Sequence, residues 1–146
     1  MNDRSQAQAI SILLVEDNDA DIYLFRRALA AAGLSAELTV MNDGAAALAF
    51  VRDGDVPDIA VLDLNLPKHG GLQILQAIRE RNDWSGVPIA VMSSSMSPAE
   101  QAMTTQLHVT RYIRKPPDLD SFLRIGNTVK DMLQESKPAG TQSSDA

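Results

Sequence analysis

The chain contains no cysteine, which excludes disulfide bonds, zinc–thiolate sites and thiol catalysis. Aromatic residues form only 4% of it, so a core built from its 45% of hydrophobic residues must be mainly aliphatic. A basic excess is also missing: the formal net charge is −6, whereas general nucleic-acid binding usually needs a basic face. No apolar run is long enough for a membrane span or a signal-peptide core. We expect a cytoplasmic protein that binds neither nucleic acid nor membrane.

The length of 146 residues suits one compact domain. The start is polar, and the last residues are rich in Ser, Pro and Gly. Such segments cannot bury enough apolar surface to become ordered. We therefore predict disordered ends at residues 1–9 and 136–146, with a single domain over residues 10–135.

Short apolar runs alternate with segments of helical periodicity. The runs are Ile12–Val15, Leu38–Met41, Ile59–Leu62, Ile89–Met92 and Tyr112–Ile113. This alternation predicts an α/β fold, a doubly wound five-stranded parallel sheet flanked by five helices, as in flavodoxin-like proteins.

Several helix boundaries can be predicted from local residues. Gly33 should stop the first helix, and Asp43 should cap the second. Ser97 begins a capping box with proline at the first helical position. The last helix should open near Asp118 and bury an apolar face that includes Leu119.

Polar residues follow most of the predicted strands. The first strand ends in Glu16 and Asp17, the third in Asp63, the fourth in Ser93, and the fifth leads into Lys115. Because parallel strands end at the same edge of a sheet, these side chains should meet in one crevice.

Three carboxylates in one crevice repel one another. At an effective dielectric constant of 20, two unit charges 4 Å apart cost about 4 kcal/mol. Either one carboxyl group holds a proton, or a cation sits among them. Oxygen ligands suit Mg²⁺, and an ammonium beside it indicates that an anion also binds. A phosphoryl group carried by Asp63 would satisfy the whole set.

These motifs resemble the receiver domains of two-component response regulators. "ILLVEDN" resembles the acidic pair of the first strand, "IAVLDLNLP" the phosphoacceptor strand, "PIAVMSSS" the strand with the switch hydroxyl, and "YIRKP" the Lys-Pro segment. The likeness runs from about Ile12 to Met132 in order and spacing. "DLNLP" and "KPPDLDSF" further resemble the single-domain subgroup that serves phytochrome-like and hybrid sensor kinases.

The resemblance implies that a histidine kinase donates a phosphoryl group to Asp63. It implies that Mg²⁺, or Mn²⁺, is bound by Asp17, Asp63 and the backbone carbonyl of Asn65, with Glu16 ligating directly or through water. Lys115 would neutralise the phosphoryl oxygens.

The same resemblance implies a switch. Ser93 would move toward the phosphoryl group and Tyr112 would turn inward. The side chains of Asn65 and Ser94 would tune autodephosphorylation. In this family the bond before Pro116 is expected to be cis, a form that costs about 0.5–1 kcal/mol before proline.

Two other readings of the residues remain open at this point. A haloacid-dehalogenase-type phosphohydrolase also uses a strand-end Asp, Ser or Thr, Lys and Mg²⁺, but it places its nucleophile on the first strand. A flavodoxin-like nucleotide binder would need a phosphate loop after the first strand, where this chain has acids. The leading hypothesis is a phosphoacceptor module without an output domain or a substrate to turn over, acting as a monomer or a homodimer.

Overall fold

The structure, a computed structural model, describes residues 9–66, 70–94 and 97–136. It contains one parallel sheet with strand order β2-β1-β3-β4-β5. The strands are β1 (Ile10–Val15), β2 (Ala36–Met41), β3 (Ile59–Asp63), β4 (Ile89–Ser93) and β5 (Arg111–Arg114). The predicted five-stranded, doubly wound sheet is confirmed. The predicted disordered ends lie outside the described residues, apart from Ala9 and Ser136.

Helical segments connect the strands and cover the sheet. They are α1 (Asp19–Ala31), α2 (Gly44–Asp53), α3 (Gly71–Arg79), a short 3₁₀ helix (Asn82–Trp84), α4 (Pro98–Gln106), α5 (Leu119–Leu123) and α6 (Ile125–Ser136). The predicted last helix is interrupted at Arg124, so α5 and α6 together form the fifth helical segment. None of the described helices is both long and apolar enough to cross a membrane.

Both faces of the sheet are buried, as expected for a parallel sheet. Alternate residues of β1 point to opposite sides: Leu13 and Val15 belong to the core beneath α2 and α3. Ile12 and Leu14 belong to the core beneath α1, α5 and α6. The sequences of the central strands are therefore continuous apolar runs, and polar side chains are found only at the ends of these strands.

The local boundary predictions hold. Gly33 follows α1 with a φ of 75°, a left-handed conformation that glycine adopts without strain. Asp43 caps α2 by accepting a hydrogen bond from the amide of Ala46 at 2.7 Å. Ser97 accepts one from the amide of Glu100 at 3.1 Å, and Pro98 opens α4.

Two expectations about the segment after β5 are wrong. Leu119 is 50% exposed, because it is the first residue of α5 and lies before the face that buries Phe122. Among the described residues no peptide bond is cis, so the bond between Lys115 and Pro116 is trans. The trans form is the lower in energy by about 0.5–1 kcal/mol for a bond before proline, so this bond adopts its intrinsically preferred form.

Candidate functional site

The topology brings the ends of β1 and β3 together. Val15 pairs with Leu62 in adjacent parallel strands, so Glu16 and Asp63 follow side by side. The chain leaves β1 toward β2 on one side, while β3 lies on the other. Crevices of this kind, where the strand order reverses, are the usual ligand sites of open α/β sheets.

Three carboxylates gather at this edge, as the sequence predicted. One oxygen from each of Glu16, Asp17 and Asp63 lies within 4.8 Å of the other two. Glu16 is 1% exposed and Asp63 2% exposed, whereas Asp17 is open to solvent. The pKa of Glu16 is raised to about 7, first by burial and then by the hydrogen bond and negative charge of Asp63, against the opposing effect of Lys115. Repulsion among the acids is thus partly relieved by a proton.

Lys115 supplies the balancing charge from the loop after β5. Its Nζ lies 3.1 Å from Oε1 of Glu16, 3.2 Å from Oδ2 of Asp63 and 2.9 Å from Oδ2 of Asp21. Burial by itself would lower the pKa of Lys115, but the hydrogen bond to Asp21 and the charges of Glu16 and Asp63 raise it above its usual value. The ammonium therefore stays charged at neutral pH.

The donor set fits a hard divalent cation. Among the described residues no donor makes a hydrogen bond to the buried Oε1 of Glu16, although Nζ of Lys115 is close to it. The exposed Asp17 leaves one side open to water. Oxygen ligands with room for water match Mg²⁺ or Mn²⁺, which keep several waters when they bind one or two carboxylates. The cluster is compatible with either ion.

The orientation of Asp63 is fixed from two sides. Its Oδ1 accepts a hydrogen bond from the amide of Asn65 at 2.9 Å, and its Oδ2 accepts one from Nζ of Lys115. The side chain of Asn65 is exposed, and its Oδ1 accepts bonds from the amide and the hydroxyl of Ser94 at 3.0 and 3.2 Å. Asn65 and Ser94 thus form the rim of the crevice beside Asp63.

Ser93 and Tyr112 share one acceptor. The buried hydroxyl of Ser93 donates to Oε1 of Glu100 at 2.8 Å, and the hydroxyl of Tyr112 donates to the same oxygen at 3.0 Å. Burial and the hydrogen bond to Glu100 raise the pKa of Tyr112. Glu100 lies in the first turn of α4, so it connects the end of β4, the edge strand β5 and this helix.

The sequence reasoning missed two members of this site, Asp21 and Glu100. Asp21 lies in the first turn of α1, whereas Asp17 precedes the N-cap Asn18, so helical spacing does not relate the two acids. No local pattern in the sequence therefore indicated that Asp21 lies in the crevice. Glu100 is the last residue of the capping box that begins at Ser97, and its orientation toward Ser93 and Tyr112 follows from how α4 packs.

A doubly wound sheet with a buried aspartate, an acidic pair and a lysine at its switch point defines a phosphoryl-accepting class of α/β protein. The profile of the "Response regulator receiver domain" matches residues 12–125. The chain therefore belongs to the response regulator receiver family, whose members are switches of two-component signalling. This assignment decides against the phosphohydrolase and nucleotide-binding alternatives.

Individual relatives agree with the family. The response regulator Rcp1 of Synechocystis is 30% identical over 142 residues, which cover 93% of this chain and 96% of Rcp1. The structure of the phosphorylated cyanobacterial phytochrome response regulator RcpA is similar with a TM-score of 0.80 at 32% identity, covering 89% of this chain and 97% of RcpA. Rcp1 in its Mn²⁺-bound form is similar with a TM-score of 0.75 at 30% identity, covering 84% and 92%.

Proposed function

We propose that Asp63 is the phosphoacceptor of this receiver domain and that it takes the phosphoryl group from a phosphohistidine of a sensor kinase. The observation that carries the proposal is the place of its carboxylate. It is buried at the strand end, lies within 4.8 Å of two further carboxylates, and accepts a hydrogen bond from the Lys115 ammonium. Glu16 is equally buried and also contacts Lys115, and Asp63 is chosen over it because Asp63 ends the strand that resembles the phosphoacceptor strand of the family.

In the transfer step a carboxylate oxygen of Asp63 attacks phosphorus. An O–P bond forms as the N–P bond of the phosphohistidine breaks, and the electron pair returns to the imidazole nitrogen, which takes up a proton. Lys115 holds its positive charge where the phosphoryl oxygens arrive, and the amide of Asn65 keeps the carboxylate oriented.

Glu16, Asp17 and Asp63 would hold the divalent cation, together with the backbone carbonyl of Asn65. Bound there, Mg²⁺ or Mn²⁺ supplies charge neutralisation for the acids and for the phosphoryl oxygens. Glu16 must lose its proton to act as a ligand, and this requirement links metal binding to pH.

The switch proceeds through Ser93 and Tyr112. A phosphoryl group on Asp63 offers the hydroxyl of Ser93 a charged acceptor in place of Glu100. When Ser93 leaves Glu100, it vacates space next to the hydroxyl of Tyr112, which donates to the same carboxylate oxygen. Tyr112 then turns inward, and the surface of α4 and β5 changes for a partner to recognise.

The signal ends by autodephosphorylation. Water attacks phosphorus, the O–P bond to Asp63 breaks, and inorganic phosphate leaves while the carboxylate is restored. The side chains of Asn65 and Ser94 are hydrogen-bonded to each other at the rim of the crevice, where they would control the access of that water to Asp63. Their side chains therefore set how long the aspartyl phosphate lasts.

The donor is a cytoplasmic histidine kinase of the phytochrome-like kind, a proposal supported by the likeness to RcpA, a phytochrome response regulator. A homodimer would use the open edge of β5, where Tyr112 and Ile113 are half-buried. Met132 of the last helix is buried in the core and is not available for such a contact.

The test is phosphorylation by acetyl phosphate in the presence of Mg²⁺, followed by intact-protein mass spectrometry. The wild-type chain should gain the mass of one phosphoryl group, and Asp63→Asn should gain none. Asp55→Asn, an exposed acid in the loop after α2, is the matched control and should label like the wild type. Equal labelling of Asp63→Asn would overturn the assignment.

A further inference from the structure

Asp21 makes the shortest contact of Lys115 with a carboxylate. Its Oδ2 lies 2.9 Å from Nζ, against 3.1 Å for Glu16 and 3.2 Å for Asp63. The side chain of Asp21 is 23% exposed, so this ion pair lies at the outer side of the ammonium.

The three carboxylates use all the donors that the ammonium has. Nζ donates to Oε2 of Glu16, Oδ2 of Asp21 and Oδ2 of Asp63, and an ammonium carries three N–H groups. A phosphoryl group on Asp63 must therefore receive a hydrogen bond that another carboxylate gives up.

Asp21 differs from the other two acceptors because it belongs neither to the proposed metal site nor to the proposed phosphorylation site. Glu16 and Asp63 belong to the cluster whose oxygens lie within 4.8 Å of one another, whereas Asp21 does not belong to any such cluster among the described residues. Metal binding draws on Glu16, and phosphorylation alters Asp63. The bond to Asp21 is therefore the one of the three that neither metal binding nor phosphorylation requires to change.

We infer that Asp21 is a positioning residue for phosphoryl transfer. It holds the Lys115 ammonium on the side of the crevice from which its other two donors reach the incoming phosphoryl oxygens. This inference rests on the proposed role of Asp63 as phosphoacceptor and assigns a further residue to the same reaction.

The test is the rate at which acetyl phosphate labels the full chain at saturating Mg²⁺. For Asp21→Asn we expect the maximal rate to fall by about tenfold, the low end of what a hydrogen bond between charged groups contributes, because Asp21 is partly exposed. The half-saturating concentration of acetyl phosphate should change little, since Asp21 does not touch the donor. Asp19→Asn is the matched control, an exposed acid in the same helical turn, and should leave both constants unchanged.

A double-mutant cycle separates positioning from a general structural effect. If Asp21 acts through Lys115, then Asp21→Asn should have no further effect in a Lys115→Ala background. Asp21→Glu keeps the carboxylate and should restore most of the rate. If labelling of the Lys115→Ala chain is too slow to follow, the affinity for beryllofluoride, an analogue of the phosphoryl group, completes the same cycle.

Three results would overturn the inference while leaving the proposed function in place. They are an Asp21→Asn chain that labels at Asp63 as fast as the wild type, an equal slowing by Asp19→Asn, and an undiminished effect of Asp21→Asn without Lys115. A wild-type chain that acetyl phosphate does not label at Asp63 would instead overturn both proposals together.

Discussion

Replacing Asp63 by asparagine removes one negative charge from the most crowded part of the site. We expect the metal-free protein to become more stable as a result, although Asp63 is buried and paired with Lys115. A substitution that stabilises the fold while removing the proposed phosphoacceptor would show that the acidic cluster is held for function and at the expense of stability.

The size of this stabilisation follows from the distances between Asp63 and the neighbouring charges. At an effective dielectric constant of 20, each of two carboxylates within 4.8 Å repels Asp63 by about 3.5 kcal/mol or more, together about 7 kcal/mol. The ammonium 3.2 Å away attracts it by about 5 kcal/mol on the same scale. Solvent screens the repulsion between the exposed Asp17 and Asp63, whereas the cost of burying the charge of Asp63 destabilises the folded state further. We expect Asp63→Asn to raise the free energy of unfolding by about 1–3 kcal/mol.

The assay is urea denaturation with EDTA at about pH 8, where Glu16 is largely ionised. Asp55→Asn serves again as the control, because it removes the same charge from an exposed loop and should change stability little. Adding Mg²⁺ should stabilise the wild type more than Asp63→Asn, since the cation relieves the same repulsion. A metal-free Asp63→Asn chain that is less stable than the wild type, or no more stable than the control, would refute the electrostatic reasoning.

Three further predictions concern the same fold. Glu16 has a pKa of about 7 in the folded state against an ordinary value of 4.5. Between pH 4.5 and about 7 the folded state therefore binds more protons than the unfolded state. Stability without metal should therefore rise as pH falls through that window, while Mg²⁺ affinity, measured by calorimetry, should fall. Tyr112→Phe loses the 3.0 Å bond to Glu100 and should lower the free energy of urea unfolding by about 1 kcal/mol. Gly126→Ala should lower it by about 2–3 kcal/mol, because a Cβ atom there would meet the carbonyl oxygen of Ala28 at 2.0 Å.

Each of these has its own check. The pH dependence should flatten in Asp63→Asn, since Asp63 supplies two of the causes that raise the pKa of Glu16, and an unchanged slope would contradict the assignment. Tyr23→Phe, on an exposed tyrosine, should have less effect than Tyr112→Phe. Gly86→Ala should be tolerated because nothing lies within 4 Å of its added Cβ. An equal loss of stability in Gly86→Ala and Gly126→Ala would contradict the explanation by close packing.

The sequence by itself determined the parallel sheet and the residues that meet at the carboxyl ends of its strands. Alternating apolar runs and helical periods require a parallel sheet covered on both faces, and parallel strands end at one edge. The predicted gathering of Glu16, Asp17, Asp63 and Lys115 needed only those two rules, since each of these residues ends a strand or follows one within two residues. Capping residues such as Asp43 were equally predictable, because their hydrogen bonds are made within a few residues of chain.

Only the tertiary structure decided which helical side chains enter the site. Asp21 reaches Lys115, and Glu100 accepts from Ser93 and Tyr112, because of how α1 and α4 are rotated and tilted against the sheet. That rotation depends on packing among residues far apart in sequence, which local periodicity cannot specify. The exposure of Leu119 was misjudged for the same reason: the apolar pattern shows which residues could be buried, but neighbouring elements decide which of them are covered.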